Sequence, residues 1–507
     1  MYREEEIMKL PEELLKKIGE ATKEVVINTI NKIYEYQTNN SFCPDYYGYP
    51  EIFLKGLEEH ESFKELKEKV PAFRCGIHFY HTTNYNTPKK YGELLRGTDS
   101  QFGINCHSIN GFDDLVKLLQ ENEIARKMIA SEEKYINSNV MHYVGNIANR
   151  YLYLMKKFTE GEIDIAVVES LIKEQVIRLF AEQLDVNICV PMCLLEFEAD
   201  EIKVTDRISI VKMTEEFQLS RFNAAHFEST QENHLVQCAA YMIRLNGYSV
   251  ENKEKESLHN AVTNYWSYPL ELIDDLFATI RIVVGFKTGY GQVLVEPIGW
   301  AGDWTTDMLP VYGANIRAFN RKDVDVDFFN YNIEKITNEA SELIKEIFSI
   351  IREKRADEKH NQQFKKVFIA IQRLNRCMLR EADDDTALDA IIGIETLLSG
   401  DTHGEITYTI SNRMAVVAAM TNQCPYAPAD ARRAMKIIYG LRSDIVHGRS
   451  INKNSKVKIA DQEIETKALA VDFLRYSLLF VMKNQEYLDI KNYEVALDKS
   501  IGELKKQ

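Results

Sequence analysis

The sequence is poor in chain-breaking residues, with 11 prolines and 23 glycines in 507 positions, which argues against long flexible linkers. Its 8 cysteines (Cys43, Cys75, Cys106, Cys189, Cys193, Cys238, Cys377 and Cys424) are scattered without a framework spacing, so a disulfide scaffold is excluded. No stretch approaches the roughly 18 apolar residues of a membrane span. The most apolar late segment, ALAVDFLRYSLLFVM, is interrupted by Asp472 and Arg475. Positive charge is in deficit: 62 Lys and Arg stand against 77 Asp and Glu, a formal charge of -15. A protein-wide basic field for coating nucleic acid is thereby excluded, although a local basic patch is not. The opening MYREEEIMKL is acidic and polar, unlike a secretory leader. These absences lead us to expect a cytoplasmic protein with free thiols and no membrane segment.

What is present is ordinary for a globular protein: 45% hydrophobic and 27% charged residues. At roughly 150 residues per domain, about three domains are expected. The fold class read from the pattern is α+β, in three regions. Residues 1–183 are mainly helical, as in PEELLKKIGEATKEVVINTINKIYEY, where Leu15, Ile18, Val25, Ile27 and Ile30 make a broad stripe. This region is a possible sensor. A polar, aromatic stretch from Gln37 to about Gly111 interrupts it. Residues 184–332 are β-rich, with β-branched alternating runs in VNICVPMCLLEFEAD, EIKVTDRISIVKM and GYGQVLVEPIGW, and one helix near PLELIDDLFATIRIVV. KTGYGQ reads as a turn between strands, too short for a phosphate loop.

Residues 333–507 are helical throughout. Val367, Ile371, Leu374 and Met378 recur at helical spacing, as do Leu388, Ile391, Glu395 and Leu398. So do Ile410, Met414, Val417 and Thr421, and Ala434, Ile438, Leu441 and Ile445. ETKALAVDFLRYSLLFVMKN is apolar on nearly all sides, as a central bundle helix is. Five or six antiparallel helices are expected.

Within that bundle, KIIYGLRSDIVHGRS holds Arg442 and His447. The spacing alone is weak, since Arg221/His226 and Arg355/His360 share it. REKRADEKH, which carries the latter pair, reads as a solvated charged face. RFNAAHF, which carries the former, sits at the edge of the β-rich region. Context separates the first pair. Five positions along an unbroken helix turn a side chain about 140° away. Gly448 directly follows His447, however, and a glycine there reads as a left-handed helix stop. His447 is then a helix C-terminal residue that the chain can turn toward Arg442, and the negative helix end favours imidazolium. A cationic imidazole beside a guanidinium suits a phosphodiester, with an acid for the leaving oxygen and a donor fork for the phosphoryl oxygens.

The ordered set LDAIIGIETLLSG, GEITYTISNRMAVVAA and KIIYGLRSDIVHGRS, over roughly residues 360–485, resembles the Apea-type branch of the HEPN superfamily. LLEFEADEIKVTDRISIVKMTEEF more weakly resembles the β-rich segment found upstream in such proteins. The resemblance implies a C-terminal HEPN helical bundle that forms a homodimer, and a metal-independent endoribonuclease without cofactor whose catalytic pair is Arg442 and His447. It also implies attack by a ribose 2′-hydroxyl, leaving a cyclic phosphate and a 5′-hydroxyl. Apea-type proteins are associated with bacterial anti-phage defence (abortive infection) and act on cellular RNA including tRNA. A phage-derived trigger, sensed by the first two regions, is the expected regulator. In many relatives Asn, Asp or His follows the arginine. Here it is Ser443, then Asp444, and both are carried as supporting residues.

Glu395 falls on an apolar stripe, where an unpaired carboxylate would cost several kcal/mol. Arg413 or Arg442 is its expected partner. Arg432, Arg433, Lys436 and Arg449 are candidate RNA contacts in a basic stretch that also holds Lys453, Lys456 and Lys458. Cys75, His78 and His81, with Cys106 and His107, lack a common zinc spacing, and no metal is expected. Cys189 and Cys193 read as core residues. Two competing readings remain: a non-catalytic HEPN module binding RNA or a protein, and a purely structural dimerisation module.

Overall fold

The computed structural model describes residues 7–39, 95–96, 103–130, 132–155, 162–214, 217, 220–221, 239–253, 260, 262, 264, 267–302, 310–318, 333–357, 362–380, 382–400, 406–448, 456–459 and 462–504. The protein is mixed α+β. Among the described residues, helix α1 (Glu12–Asn39) is followed by a short parallel pair, Leu95–Arg96 with Ile104–Asn105, and then by α2 (Phe112–Glu121), α3 (Glu123–Ile129), α4 (Ile136–Met155) and α5 (Ile165–Phe180). Strands β1 (Gln183–Met192), β2 (Leu195–Phe197), β3 (Glu201–Thr205), β4 (Ile208–Lys212) and β5 (Tyr241–Glu251) come next. Helix α6 (Leu270–Val284) precedes β6 (Tyr290–Pro297), β7 (Tyr312–Ala318) and β8 (Glu334–Ile336). Helices α7 (Asn338–Ala356), α8 (Gln362–Leu379), α9 (Asp383–Leu398), α10 (Ile406–Met420) and α11 (Pro428–Val446) follow. The hairpin β9 (Lys456–Ile459) and β10 (Gln462–Glu465), then α12 (Thr466–Lys483) and α13 (Lys491–Leu504), complete the order.

Two compact units share these elements. One comprises Met1–Pro191, Asp206–Tyr268 and Gln292–Ile316; the other comprises Met192–Thr205, Pro269–Gly291 and Arg317–Gln507. The compositional boundaries at 183/184 and 332/333 fall close to where β1 and α7 begin, whereas the units interleave along the chain.

In the first unit, Ile18, Val25 and Ile30 of α1 are buried with Leu115 and Leu119 of α2, Val144 and Ile147 of α4, and Leu171 of α5. Leu15 and Ile27 are only half-buried, because the buried face of α1 continues through Thr22, Val26 and Thr29 instead. The run FDDLVKLLQENEIARKMI makes two helices. Asn122 ends α2 and accepts a hydrogen bond from Ala125 N at 3.0 Å, capping α3. The strands of this unit lie in the order β4-β5-β1-β6-β7. β4 pairs antiparallel with β5, and β1 with β6 through Cys189 opposite Leu294. Most of Gln37–Gly111 lies outside the described residues, including Cys75, His78 and His81.

In the second unit the helices pack around α12, whose Leu469, Phe473, Leu474, Leu478 and Leu479 are buried in one core with residues of α7–α11. All four periodic positions of α8 are buried, as are Ile410, Met414 and Val417 of α10, Thr421 just beyond its end, and Ala434, Ile438 and Leu441 of α11. Each fully buried aliphatic side chain contributes about 1.5–3 kcal/mol. Helix α6 belongs to this core through Ala278 and Ile282. Arg475 of α12 donates to the carbonyls of Ile282 and Val283 at its end. KTGYGQ therefore leads from a helix into β6; it does not join two strands. The preference for a hairpin turn reflected its glycines, which serve equally after a helix whose C-cap, Gly285, is left-handed at φ +76°.

Candidate functional site

The C-terminal turn of α11 carries the candidate pair. Pro428 opens the helix at its first turn, where its missing N–H costs nothing. Ala434, Ile438 and Leu441 face the core, which sets the rotation of the helix and puts Arg442 on its flank. The helix stops at Val446. His447 is the C-cap at φ -96°, with its N–H donating to Ser443 O at 3.1 Å. Gly448 is left-handed at φ +62°, its N–H donating to Ile445 O at 3.1 Å, and among the described residues no atom lies near a Cβ placed on it. His447 is exposed, and among the described residues no hydrogen bond or ring contact joins it to Arg442.

Arg442 is held by two neighbours. Glu395 Oε1 of α9 lies 3.4 Å from its Nε, with side-chain exposures of 36% for Arg442 and 19% for Glu395. The guanidinium sits 5.5 Å from the centroid of the Tyr439 ring, one helical turn earlier. Burial and hydrogen bonding to Glu395 push the Tyr439 phenol up, while Arg442 opposes the shift. The three side chains thus form one cluster. The carboxylate engages Nε, and the terminal nitrogens of Arg442 have no protein partner among the described residues.

Of the two partners weighed for Glu395, Arg442 is the one found. Arg413 is buried elsewhere, donating through Nη1 to the carbonyls of Leu398 at 2.6 Å and Ser399 at 2.9 Å. These are orphan acceptors at the end of α9. Its Nη2 lies 3.6 Å from Glu494 and its guanidinium 6.0 Å from the Tyr493 ring, and burial pulls its pKa down. Arg413 is accordingly a helix-capping residue, apart from the Arg442 cluster. Ser443 and Asp444 are half-buried on α11.

The basic stretch divides in two. Arg432 and Lys436 are exposed, and Arg432 lies 5.6 Å over the Tyr408 ring. Arg433 is tied to Asp430 at 2.9 Å and to Lys458 O at 3.0 Å. Lys456 pairs with Glu463 and Glu465. Arg449 and Lys453 lie outside the described residues.

The rival Arg-x-x-x-x-His segments turn out to be structural at their arginines. Arg355 is not on a solvated face. Its side chain is 13% exposed, its Nη2 lies 2.8 Å from Oδ1 of Asp275, which is 2% exposed, and it lies 4.1 Å over Phe368. A carboxylate 80 positions away on α6 drew it inward. Arg221 is buried and donates to Gln292 Oε1 at 2.9 Å. His226 and His360 lie outside the described residues.

Cys106 is buried and the neighbouring His107 pairs through Nδ1 with Asp113 Oδ1 at 2.6 Å. Among the described residues no group of three or more His, Cys, Asp or Glu is placed to hold a metal ion. Cys189 and Cys193 are both buried, and burial pushes the Cys189 and Cys377 thiols up, away from thiolate chemistry. Among the described residues no helix is long and apolar enough to cross a membrane.

Sequence reasoning missed Tyr439, and it placed Tyr408 in the Y-x-I-S-x-R stretch of the resemblance without giving it a site role. Tyr439 precedes Arg442 by three positions, a spacing that makes helical neighbours. Tyr408 meets Arg432 across two helices, for which the sequence carries no local signal. No family model, curated protein or solved structure matches the chain.

Proposed function

We propose that this protein is a metal-independent endoribonuclease of the HEPN type, a cytoplasmic anti-phage effector that acts on cellular RNA such as tRNA as a homodimer. The observation that carries the reading is a guanidinium steadied at Nε by Glu395, partly exposed on the last turns of a helix, with an exposed histidine at the stop that follows. Arg442 offers its terminal nitrogens to the non-bridging phosphate oxygens. The ribose 2′-hydroxyl attacks phosphorus as its proton passes to solvent water, the P–O5′ bond breaks, and His447 gives a proton to the departing oxygen. The products are a 2′,3′-cyclic phosphate and a 5′-hydroxyl. The dimer matters because Arg442 and His447 do not touch within one chain, and a second copy supplies a further pair of the same residues. A phage-derived trigger acting on the remainder of the chain fits a nuclease that its host must restrain.

The test is expression of wild type, Arg442→Ala and His447→Ala with sequencing of RNA ends. Toxicity and new 5′-hydroxyl ends are expected from wild type alone. Equal RNA decay from all three overturns the reading. The separation of Arg442 from His447 also favours a second reading, a non-catalytic module that binds RNA through the same cations. It expects salt-sensitive RNA binding without new ends.

A further inference from the structure

Arg432, Lys436, Tyr439 and Ser443 recur on α11 at intervals of four, three and four, so they share one face, with Arg442 on its edge. In a chain of net charge -15, two cations of this face, Arg432 and Lys436, have no acidic partner among the described residues, while Arg442 at its edge meets the Glu395 carboxylate through Nε. The cation one step around the helix, Arg433, is bound to Asp430. Two arginine–tyrosine pairs mark the ends of the stripe. Arg432 lies 5.6 Å over Tyr408, and Arg442 lies 5.5 Å over Tyr439. Tyr408 is 51% exposed. Ten residues of helix separate the two arginines by about 15 Å, a span of a few nucleotides.

We propose that this face of α11 is a track for single-stranded RNA, in which the Arg432–Tyr408 pair stacks an unpaired base and Lys436 and Arg442 hold phosphates along the strand. The inference rests on the reading of Arg442 as a phosphate contact and adds the residues that grip the strand beside it, Tyr408, Arg432 and Lys436. Bases stacked on tyrosine and guanidinium planes must be splayed out of a helix, which a single strand or loop permits and an A-form duplex does not. Charge complementarity names the occupant, since the stripe is cationic and interleaved with aromatics. Arg433, included on sequence grounds, has no part in it.

The experiment uses the full chain carrying His447→Ala, so that bound RNA survives. Affinities are measured for a labelled single strand of about twelve nucleotides, the same sequence as a duplex, and a dinucleotide. The single strand is expected to bind at least about tenfold more tightly than the duplex. Adding Tyr408→Ala or Arg432→Ala weakens single-strand binding about fivefold or more, leaves the dinucleotide unaffected, and does not shift the melting temperature. Tyr408→Phe binds as the parent does. Lys436→Ala lowers the slope of log affinity against log salt by about 0.7. Equal affinity for duplex and single strand, or unchanged binding by Tyr408→Ala and Arg432→Ala, overturns the track, as does a parent that binds no RNA. If the stripe variants lose binding while wild type yields no 5′-hydroxyl ends, the nuclease reading fails and the track stands. If wild type cleaves and the stripe variants bind like the parent, the track fails and the nuclease stands.

Discussion

Glu395 Oε1 stands 3.4 Å from Nε of Arg442, on the flank of the guanidinium. An ion pair this exposed adds at most about 1 kcal/mol to stability. It does, however, restrict an arginine that would otherwise carry about 2 kcal/mol of rotamer entropy, and Tyr439 packs against the same group. Glu395→Gln is therefore expected to leave the melting temperature within a few degrees of wild type and to lower kcat for RNA cleavage about tenfold, with KM little changed. Steady-state kinetics on a single-stranded oligonucleotide check this, and an unaltered kcat would remove Glu395 from the machinery. Tyr439→Phe is expected to cost less, since the ring remains beneath the guanidinium.

Gly448 sets where the helix ends and therefore where His447 points. Its φ of +62° is a conformation that an L side chain adopts at a cost of about 1–2 kcal/mol. Among the described residues no atom obstructs a Cβ, so the penalty there is conformational. Gly448→Ala is expected to lower cleavage severalfold by shifting His447, while Gly448→Asn, which tolerates the left-handed region, recovers most of it. Equal activity of both variants and wild type would show that the stop does not position the histidine.

Arg355 and Arg442 should separate stability from activity. Asp275 is 2% exposed and faces Arg352 at 3.1 Å as well as Arg355. Removing one partner of a buried pair typically costs about 3–5 kcal/mol, partly offset here by Arg352. Arg355→Ala is expected to lower the thermal midpoint by several degrees at unchanged kcat for the folded fraction. Arg442→Ala is expected to leave the midpoint in place and abolish cleavage. Thermal melts alongside initial rates distinguish the two, and a normal midpoint for Arg355→Ala would mean that Asp275 needs only Arg352.

The contrast between these arginines shows what could be read in advance. The core faces of α8, α10 and α11 were legible because a helix repeats its buried side every three to four positions, and Val367, Ile371, Leu374 and Met378 obey that rule without reference to anything distant. The stop at Gly448 was legible for a similarly local reason. Arg355 was not: its setting depends on Asp275, far away in sequence, and a charged run looks solvated until its partner is known. Helix α6 joins the bundle core for the same kind of reason, because its apolar face says that it is buried but not against which neighbours. Glu395 was half legible. Its place on an apolar stripe demanded a cation, and only tertiary packing could choose Arg442 over Arg413.

Asp274 offers a test of the α6 packing through pH. Burial raises its carboxyl above the ordinary range, against the lowering effects of the Tyr290 hydroxyl, which donates at 3.0 Å, and of Arg281. The folded state therefore holds this proton more tightly than the unfolded chain does. The resulting stabilisation is complete below the unfolded carboxylate pKa and disappears as pH rises through the higher folded value. Asn at this position cannot titrate, and its side-chain oxygen still accepts from Tyr290. The melting temperature of Asp274→Asn relative to wild type is accordingly expected to be more favourable at pH 7 than at pH 4. Differential scanning calorimetry at the two pH values measures the difference directly. A constant offset between the two proteins would mean that Asp274 titrates alike folded and unfolded, and that its carboxyl is not buried beside Tyr290.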